Sequence, residues 1–247
     1  MTVLRLERLN KSFGSLVVTD NVDLEVALGE RHVIIGPNGA GKTSLVNQIG
    51  GQLRPSSGRI LFKDRDITGA RPDRISRMGV ARTFQRNNLF ANLSVTENIR
   101  LALEVARGHP LTFFTPAGRN RALAERAASL MAQVHLDGDG TRLVRNLSYG
   151  EQRQLEIAVA LAGEPELLLL DEPTSGMSPT ETTRMIGLIG SLPRSLSVLM
   201  IEHDMTVVFS VADRITVLNY GKVLATGTPE NVKTNAKVRE VYLGMAH

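Results

Sequence analysis
Short apolar runs alternate with stretches of helical periodicity along much of the chain. Runs of strand length fall at Arg31–Ile35, Val80–Phe84, Leu167–Leu170, Val198–Ile201 and Arg214–Leu218, and their alternation with helices predicts an α/β layered fold with parallel strands. Near the N-terminus, Val3–Leu6, Val22–Val26 and Arg59–Phe62 mix apolar with charged residues and read as half-buried, as expected of a small antiparallel sheet. From about Leu93 to Ala162 the pattern changes to Ala-, Leu- and Arg-rich helical periodicity without a convincing strand, which predicts a helical subdomain inserted into the α/β core.

Helix starts are legible. Ser94-Val-Thr-Glu97, Ser148-Tyr-Gly-Glu151 and Ser178-Pro-Thr-Glu181 each set a hydroxyl three residues before a carboxylate, so helices should begin near Val95, Tyr149 and Pro179. Gly108 to Gly118 contains Pro and Phe residues that break the periodicity, predicting a loop before a helix from about Arg119 to Val134.

Composition narrows the function classes. The 247 residues carry 29 Lys plus Arg against 25 Asp plus Glu, a formal charge of +4, and no Cys, so disulfides and thiolate metal sites are excluded. A pI near 9.7 raises nucleic-acid binding, but the charges are dispersed and the aromatics are three Tyr and seven Phe with no Trp, poor material for stacking on bases. No apolar run approaches the roughly 18 residues of a spanning helix, so the chain is expected to be soluble. Its opening MTVLRLERL alternates apolar and charged residues, unlike a secretory signal.

Gly36-Pro-Asn-Gly-Ala-Gly-Lys-Thr43 follows the strand ending at Ile35 and precedes the helical run Ser44–Ile49, the strand, glycine turn and helix context of a phosphate-binding P-loop. Glycines let backbone N–H groups converge on phosphate oxygens, and the helix adds its positive end. Gly36, Asn38, Gly39, Ala40, Gly41, Lys42, Thr43 and Ser44 are therefore the expected nucleotide contacts, with Lys42 reaching the β and γ phosphates and the Thr43 hydroxyl on Mg²⁺. A glycine-rich turn could match by chance, but the fixed positions coincide only about once in a hundred such chains. Glu166-Leu-Leu-Leu-Leu-Asp171-Glu172 is a buried-strand pattern ending in adjacent carboxylates. Strand alternation sends these in different directions, so Asp171 suits Mg²⁺ and Glu172 suits a general base facing the attacking water.

With these motifs, Leu147-Ser-Tyr-Gly-Glu-Gln152 resembles the LSGGQ signature of the ATP-binding cassette family, and the resemblance covers essentially the whole chain. It implies a P-loop NTPase (RecA-like) core at residues 1–92 and 164–247, carrying a small antiparallel β subdomain, and a helical signature subdomain at 93–163. It also implies that Phe13 stacks on adenine, although an aromatic there equally suits an amphipathic strand. Gln85 would reach the metal and the attacking water, and His203 would hydrogen-bond the γ phosphate; His32, His109, His135 and His247 are read as ordinary hydrogen-bonded side chains. Ser148 and Gly150, at the tip of a helix, would meet the γ phosphate held by the P-loop of a second, facing cassette. ATP would then join two cassettes and hydrolysis would separate them. Two positions depart from the family pattern: Tyr149 stands for the first signature glycine, and Ser178 stands where many members carry Asp.

The resemblance implies ATP and Mg²⁺ as cofactors, a homo- or heterodimer of cassettes, separate membrane permeases, an indirect link to a substrate-binding protein, no nucleic acid, and a place on the cytoplasmic face of the inner or plasma membrane. Gln85 to Phe90 is where the family receives a short helix of the permease; Leu89 and Phe90 would fill that groove or pack into the local core. Gly-Val-Ala-Arg-Thr-Phe-Gln85, the excursion Leu111–Gly118, Glu202-His-Asp-Met205 and Val241-Tyr-Leu-Gly244 are similar to the longer ATPase subunit of branched-chain amino-acid-type importers, whose relatives carry urea, short amides or aromatic acids. Alternatives are an exporter ATPase of the lipopolysaccharide type and a soluble, non-transport cassette protein acting on DNA or ribosomes. A P-loop GTPase is disfavoured because no Asn-Lys-x-Asp segment occurs.

Overall fold
A computed structural model describes residues 1–83, 89–106 and 117–243. In chain order the elements begin with β1 (Thr2–Phe13), β2 (Leu16–Ala27), β3 (Arg31–Ile35), α1 (Lys42–Ile49), β4 (Ser57–Phe62), β5 (Arg65–Asp66), α2 (Pro72–Arg77) and β6 (Val80–Arg82). They continue with α3 (Val95–Ala106), α4 (Ala117–Gln133), α5 (Tyr149–Leu161), β7 (Leu167–Asp171), α6 (Pro179–Ser191), β8 (Ser197–Ile201), α7 (Met205–Val211), β9 (Arg214–Asn219), β10 (Lys222–Gly227), α8 (Pro229–Thr234) and α9 (Ala236–Leu243). Contacts divide the chain into two compact units: residues 1–80, 166–172 and 193 onward form the first, and residues 81–165 with 173–192 form the second.

The first unit contains an antiparallel sheet of order β2-β1-β4-β5 and a sheet of order β10-β9-β3-β8-β7. The β1–β2 hairpin is far longer than the expected segments Val3–Leu6 and Val22–Val26. Register shifts between Leu6 and Leu9, Leu9 and Lys11, and Lys11 and Ser12 interrupt the two-residue alternation, which hid the outer half of the hairpin from pattern reading. In the second sheet β9, β3, β8 and β7 are parallel. The expectation of parallel strands fails at β10, which returns antiparallel to β9 with Asn219 opposite Lys222. The intervening Tyr220 and Gly221 have φ of 45° and 77°, a two-residue turn of the type that closes a hairpin and leaves no room for a crossover. Of the expected strand Val80–Phe84, the described part ends at Arg82; Phe84 lies outside the described residues.

Every residue of β3, β7 and β8 is buried, as a parallel sheet covered on both faces requires. Leu167 and Leu169 share a core with Ile34, Leu199, Ile201 and the α1 residues Leu45, Val46 and Ile49. That packing holds the carboxyl ends of three strands, and the turn leading into α1, in fixed relation.

The second unit is helical. Val95, Ile99 and Leu103 of α3 and Leu123, Ala127, Leu130 and Val134 on and after α4 are buried at the spacing of one helix face. The helices α3, α5 and α6 start at the capping boxes read from sequence, with Ser94, Ser148 and Ser178 each exchanging hydrogen bonds with the Glu three residues on. The segment 173–192 groups with this unit, whereas the sequence boundaries put it in the core. Within this unit the first turn of α6 bonds directly to the tip of α5.

Replacing Leu169 by Ala should leave a cavity in the first unit and cost about 2–5 kcal/mol. Urea denaturation should show a lowered midpoint with an unchanged m value.

Candidate functional site
The turn after β3 is shaped by glycine. Gly41 has φ 97°, and a Cβ there would lie 2.1 Å from the Val18 carbonyl oxygen, so no other residue fits without moving backbone. Gly39, at φ 80°, faces open space. Ala40 is buried, its N–H donating to the Pro37 carbonyl at 3.1 Å and its carbonyl accepting from Gly221 N–H at 3.0 Å. Asn38 and Thr43 are exposed, Ser44 half-buried and Gly36 buried.

Helix α1 begins at Gly41 with no side-chain cap and no acidic residue in its first turn. Its leading N–H groups and positive dipole end are thus available to an anion. The Lys42 ammonium is buried and folds back to donate to the Gly36 carbonyl at 2.7 Å and the Pro37 carbonyl at 3.1 Å. Burial pushes its pKa below the usual lysine value, opposed by the charges of Glu172 and Asp171. These residues fit a nucleotide's phosphates: a helix start with no side-chain cap, a cation, and open space beside Gly39.

Asp171 ends β7 and is buried. Glu172 follows with its N–H donating to the Ile201 carbonyl at 3.0 Å, and its φ of 48° is a left-handed conformation costing a non-glycine residue about 1–2 kcal/mol. Such strain persists where surrounding structure enforces it and often marks a working site. His203 Nδ1 lies 3.8 Å from Glu172 Oε1. Its position depends on Glu202, which sequence reading passed over: this fully buried carboxylate accepts the His203 N–H at 2.9 Å and the Asp204 N–H at 3.4 Å. A glutamate at the end of a continuous apolar strand was the available signal. Thr43 and Asp171 offer hard oxygen donors of the kind Mg²⁺ takes alongside phosphate oxygens and water. Among the described residues no group of three or more His, Cys, Asp or Glu could hold a metal unaided.

Phe13 sits at the hairpin tip, 52% exposed, with Lys11 Nζ 4.8 Å from its ring centroid. Leu16 and Val17 are exposed beside it. A core role for this aromatic is thereby removed, its ring half exposed beside the Lys11 ammonium. Gln85 lies outside the described residues, as do His109 and His247. His32 is fully buried, its Nε2 2.7 Å from Thr216 Oγ1 and its Nδ1 3.3 Å from Glu30, an ordinary structural histidine. Phe90 is 60% exposed and does not join the local core.

In the second unit, Ser148 and Gly150 are brought onto one oxygen. Ser148 Oγ and Gly150 N–H each donate to Glu181 Oε1 at 3.1 Å. The α5 tip is held rigid by its own box and by Arg142, which binds both carboxylate oxygens of Glu151, at 2.9 and 3.0 Å. Tyr149, the departure from the family signature, points its hydroxyl back to accept from Arg153 Nε and Nη2 at 3.1 and 2.8 Å. Ser178, the second departure, caps α6.

Known proteins resemble this chain over nearly all of its length. The family model described as ABC transporter matches residues 19–175, and one described as branched-chain amino acid ATP-binding cassette transporter matches residues 222–245. The high-affinity branched-chain amino acid transport ATP-binding protein LivG of Escherichia coli is 41% identical, the alignment covering 99% of this chain and 98% of that one. BraF of Pseudomonas aeruginosa, of the same description, is 39% identical over 99% and 98%. Among solved structures, the ADP conformation of an ATP-binding cassette of an ABC transporter superposes with a TM-score of 0.85 at 29% identity, covering 99% of each chain. A nucleotide-free cassette gives 0.83 at 28% identity, over 98% of this chain and 99% of that one. These matches show that the chain belongs to the ABC transporter family, as an ATP-binding cassette whose ATPase activity drives transport.

Proposed function
We propose that this cassette pairs with a second cassette, docks on separate permease subunits at the cytoplasmic face of the membrane, and powers import of branched-chain amino acids or of related amides, urea or aromatic acids. The observation that carries the ATPase half is the uncapped start of α1 with Lys42 under the charges of Glu172 and Asp171. The cargo half rests on the names of the relatives and on the match at residues 222–245. No described helix is long and apolar enough to cross a membrane, so the proposal assigns the pathway to partner chains.

Each residue has a physical task in this reading. The N–H groups of the turn and Lys42 bind the β and γ phosphates, with Thr43 and Asp171 holding Mg²⁺. Bound Mg²⁺ would neutralise charge that develops on the transferring phosphoryl group. Glu172 takes the proton of the attacking water. His203, oriented through Glu202, donates to a γ-phosphate oxygen, and the sequence assigns Gln85 to the metal and the attacking water. Phe13 offers its exposed ring to adenine. Ser148 and Gly150 bind the γ phosphate from the opposite cassette, so that ATP joins the pair and hydrolysis loosens it.

Glu172→Gln should cut hydrolysis by about two orders of magnitude or more, and the variant should elute as a dimer in saturating MgATP on size exclusion; a variant that binds MgATP yet stays monomeric contradicts the paired mechanism. Phe13→Ala should weaken ATP binding roughly threefold to tenfold, the share of one stacked ring, in a fluorescent-nucleotide titration, with thermal stability unchanged. For cargo, cells lacking this chain should lose high-affinity uptake of radiolabelled leucine, isoleucine and valine; normal uptake of all three with impaired urea or amide uptake would move the assignment to a related importer.

A further inference from the structure
The donors that would receive a phosphate from the facing cassette are already in use. Glu181 Oε1 accepts both the Ser148 hydroxyl and the Gly150 N–H, each at 3.1 Å. Its other oxygen accepts the Ser178 N–H at 3.0 Å and the Ser178 hydroxyl at 2.8 Å. One carboxylate therefore joins the starts of α5 and α6. These bonds hold its pKa down to about 2, so the group is an anion throughout the physiological range. The fit is close: a Cβ on Gly150 would come within 2.7 Å of Glu181 Oε1 and 2.9 Å of its Cγ. Glycine at 150 thus admits this side chain as well as any outside ligand.

The Ser148 box does not need Glu181. Ser148 Oγ accepts the Glu151 N–H at 3.2 Å, and Glu151 accepts the Ser148 N–H at 2.6 Å. The bonds from Glu181 are additional, and they use the Gly150 N–H and the Ser148 hydroxyl proton, neither of which the box takes up. A carboxylate oxygen receiving two donors at a positive helix end has the charge and hydrogen-bond pattern of a phosphoryl oxygen. Two anions cannot share that pair, since the second would lose its donors and face like charge.

We propose that Glu181 is an internal stand-in for the γ phosphate at the signature helix, a positioning residue that must leave Ser148 and Gly150 before the facing cassette's ATP can bind there. The inference rests on the paired-cassette reading above. It makes ATP-driven pairing a displacement: part of the phosphate's binding energy goes to releasing Glu181, which raises the ATP concentration needed for pairing and returns the tip to its resting partner after phosphate departs. It also gives the first turn of α6 a route to sense occupancy of the α5 tip, because Glu181 is the third helical residue of α6.

The test uses the full chain with Glu172→Gln to block hydrolysis, titrated with MgATP and followed by sedimentation. Adding Glu181→Ala should lower the ATP concentration for half-dimerisation by about fivefold or more. Glu181→Gln, which keeps the shape and removes the charge, should shift it in the same direction. Thr183→Ala serves as the control, since the Thr183 hydroxyl bonds within α6 to the Pro179 carbonyl at 3.0 Å rather than to Glu181, Ser148 or Gly150, and it should leave the midpoint where it was. Thermal unfolding without nucleotide separates a stability loss from the effect sought. A midpoint that is unchanged or raised in both Glu181 variants, with the parent dimerising normally, overturns the stand-in role alone. If neither parent nor variants dimerise while binding MgATP, the paired-cassette reading falls and takes this inference with it.

Discussion
The placement of one buried ammonium against two carboxylates governs the rest of the first unit. Lys42 stands at the start of a helix whose N–H groups have no side-chain cap, and Asp171 and Glu172 stand at the end of a strand beside it in charge. Left in water these groups would be separately solvated. Held by a sheet whose central strands are buried on both faces, they become a small preorganised electrostatic field. Burial disfavours the lysine's charge, the carboxylates favour it, and its present bonds to the Gly36 and Pro37 carbonyls keep it satisfied until a ligand competes.

Rigidity around this field comes from backbone constraints. Gly41 is pressed against the Val18 carbonyl, tying the phosphate turn to the antiparallel sheet. Glu172 is held left-handed by a bond to Ile201, and Glu202 fixes the amides leading to His203 from below. The strand ends that carry acid and imidazole are thus registered against each other by ladder bonds such as Asp171 opposite Ile201.

The second unit uses the same physics in a resting form. Where α1 leaves its N-terminus open, α5 and α6 have theirs filled, first by their own capping boxes and then by Glu181 bridging the two. One helix end is ready for an anion and the other already holds one supplied by the chain.

Local chemistry was readable without coordinates: the phosphate turn, the two acids, the three capping boxes and the buried strands each depend on residues within a few positions of one another. So was the helical insertion, because a change of period from two to 3.6 needs no distant contact. The outer half of the β1–β2 hairpin was not, since bulges break the alternation on which strand reading depends, nor was the antiparallel return of β10, which turns on the conformation of Tyr220 and Gly221. Glu202 and Glu181 were legible as residues but not as parts of the site. The first acts by accepting amides beyond the end of its own strand. The second reads in sequence as the far member of the Ser178 box, and only folding carries its other oxygen across the 31 residues that separate it from Gly150.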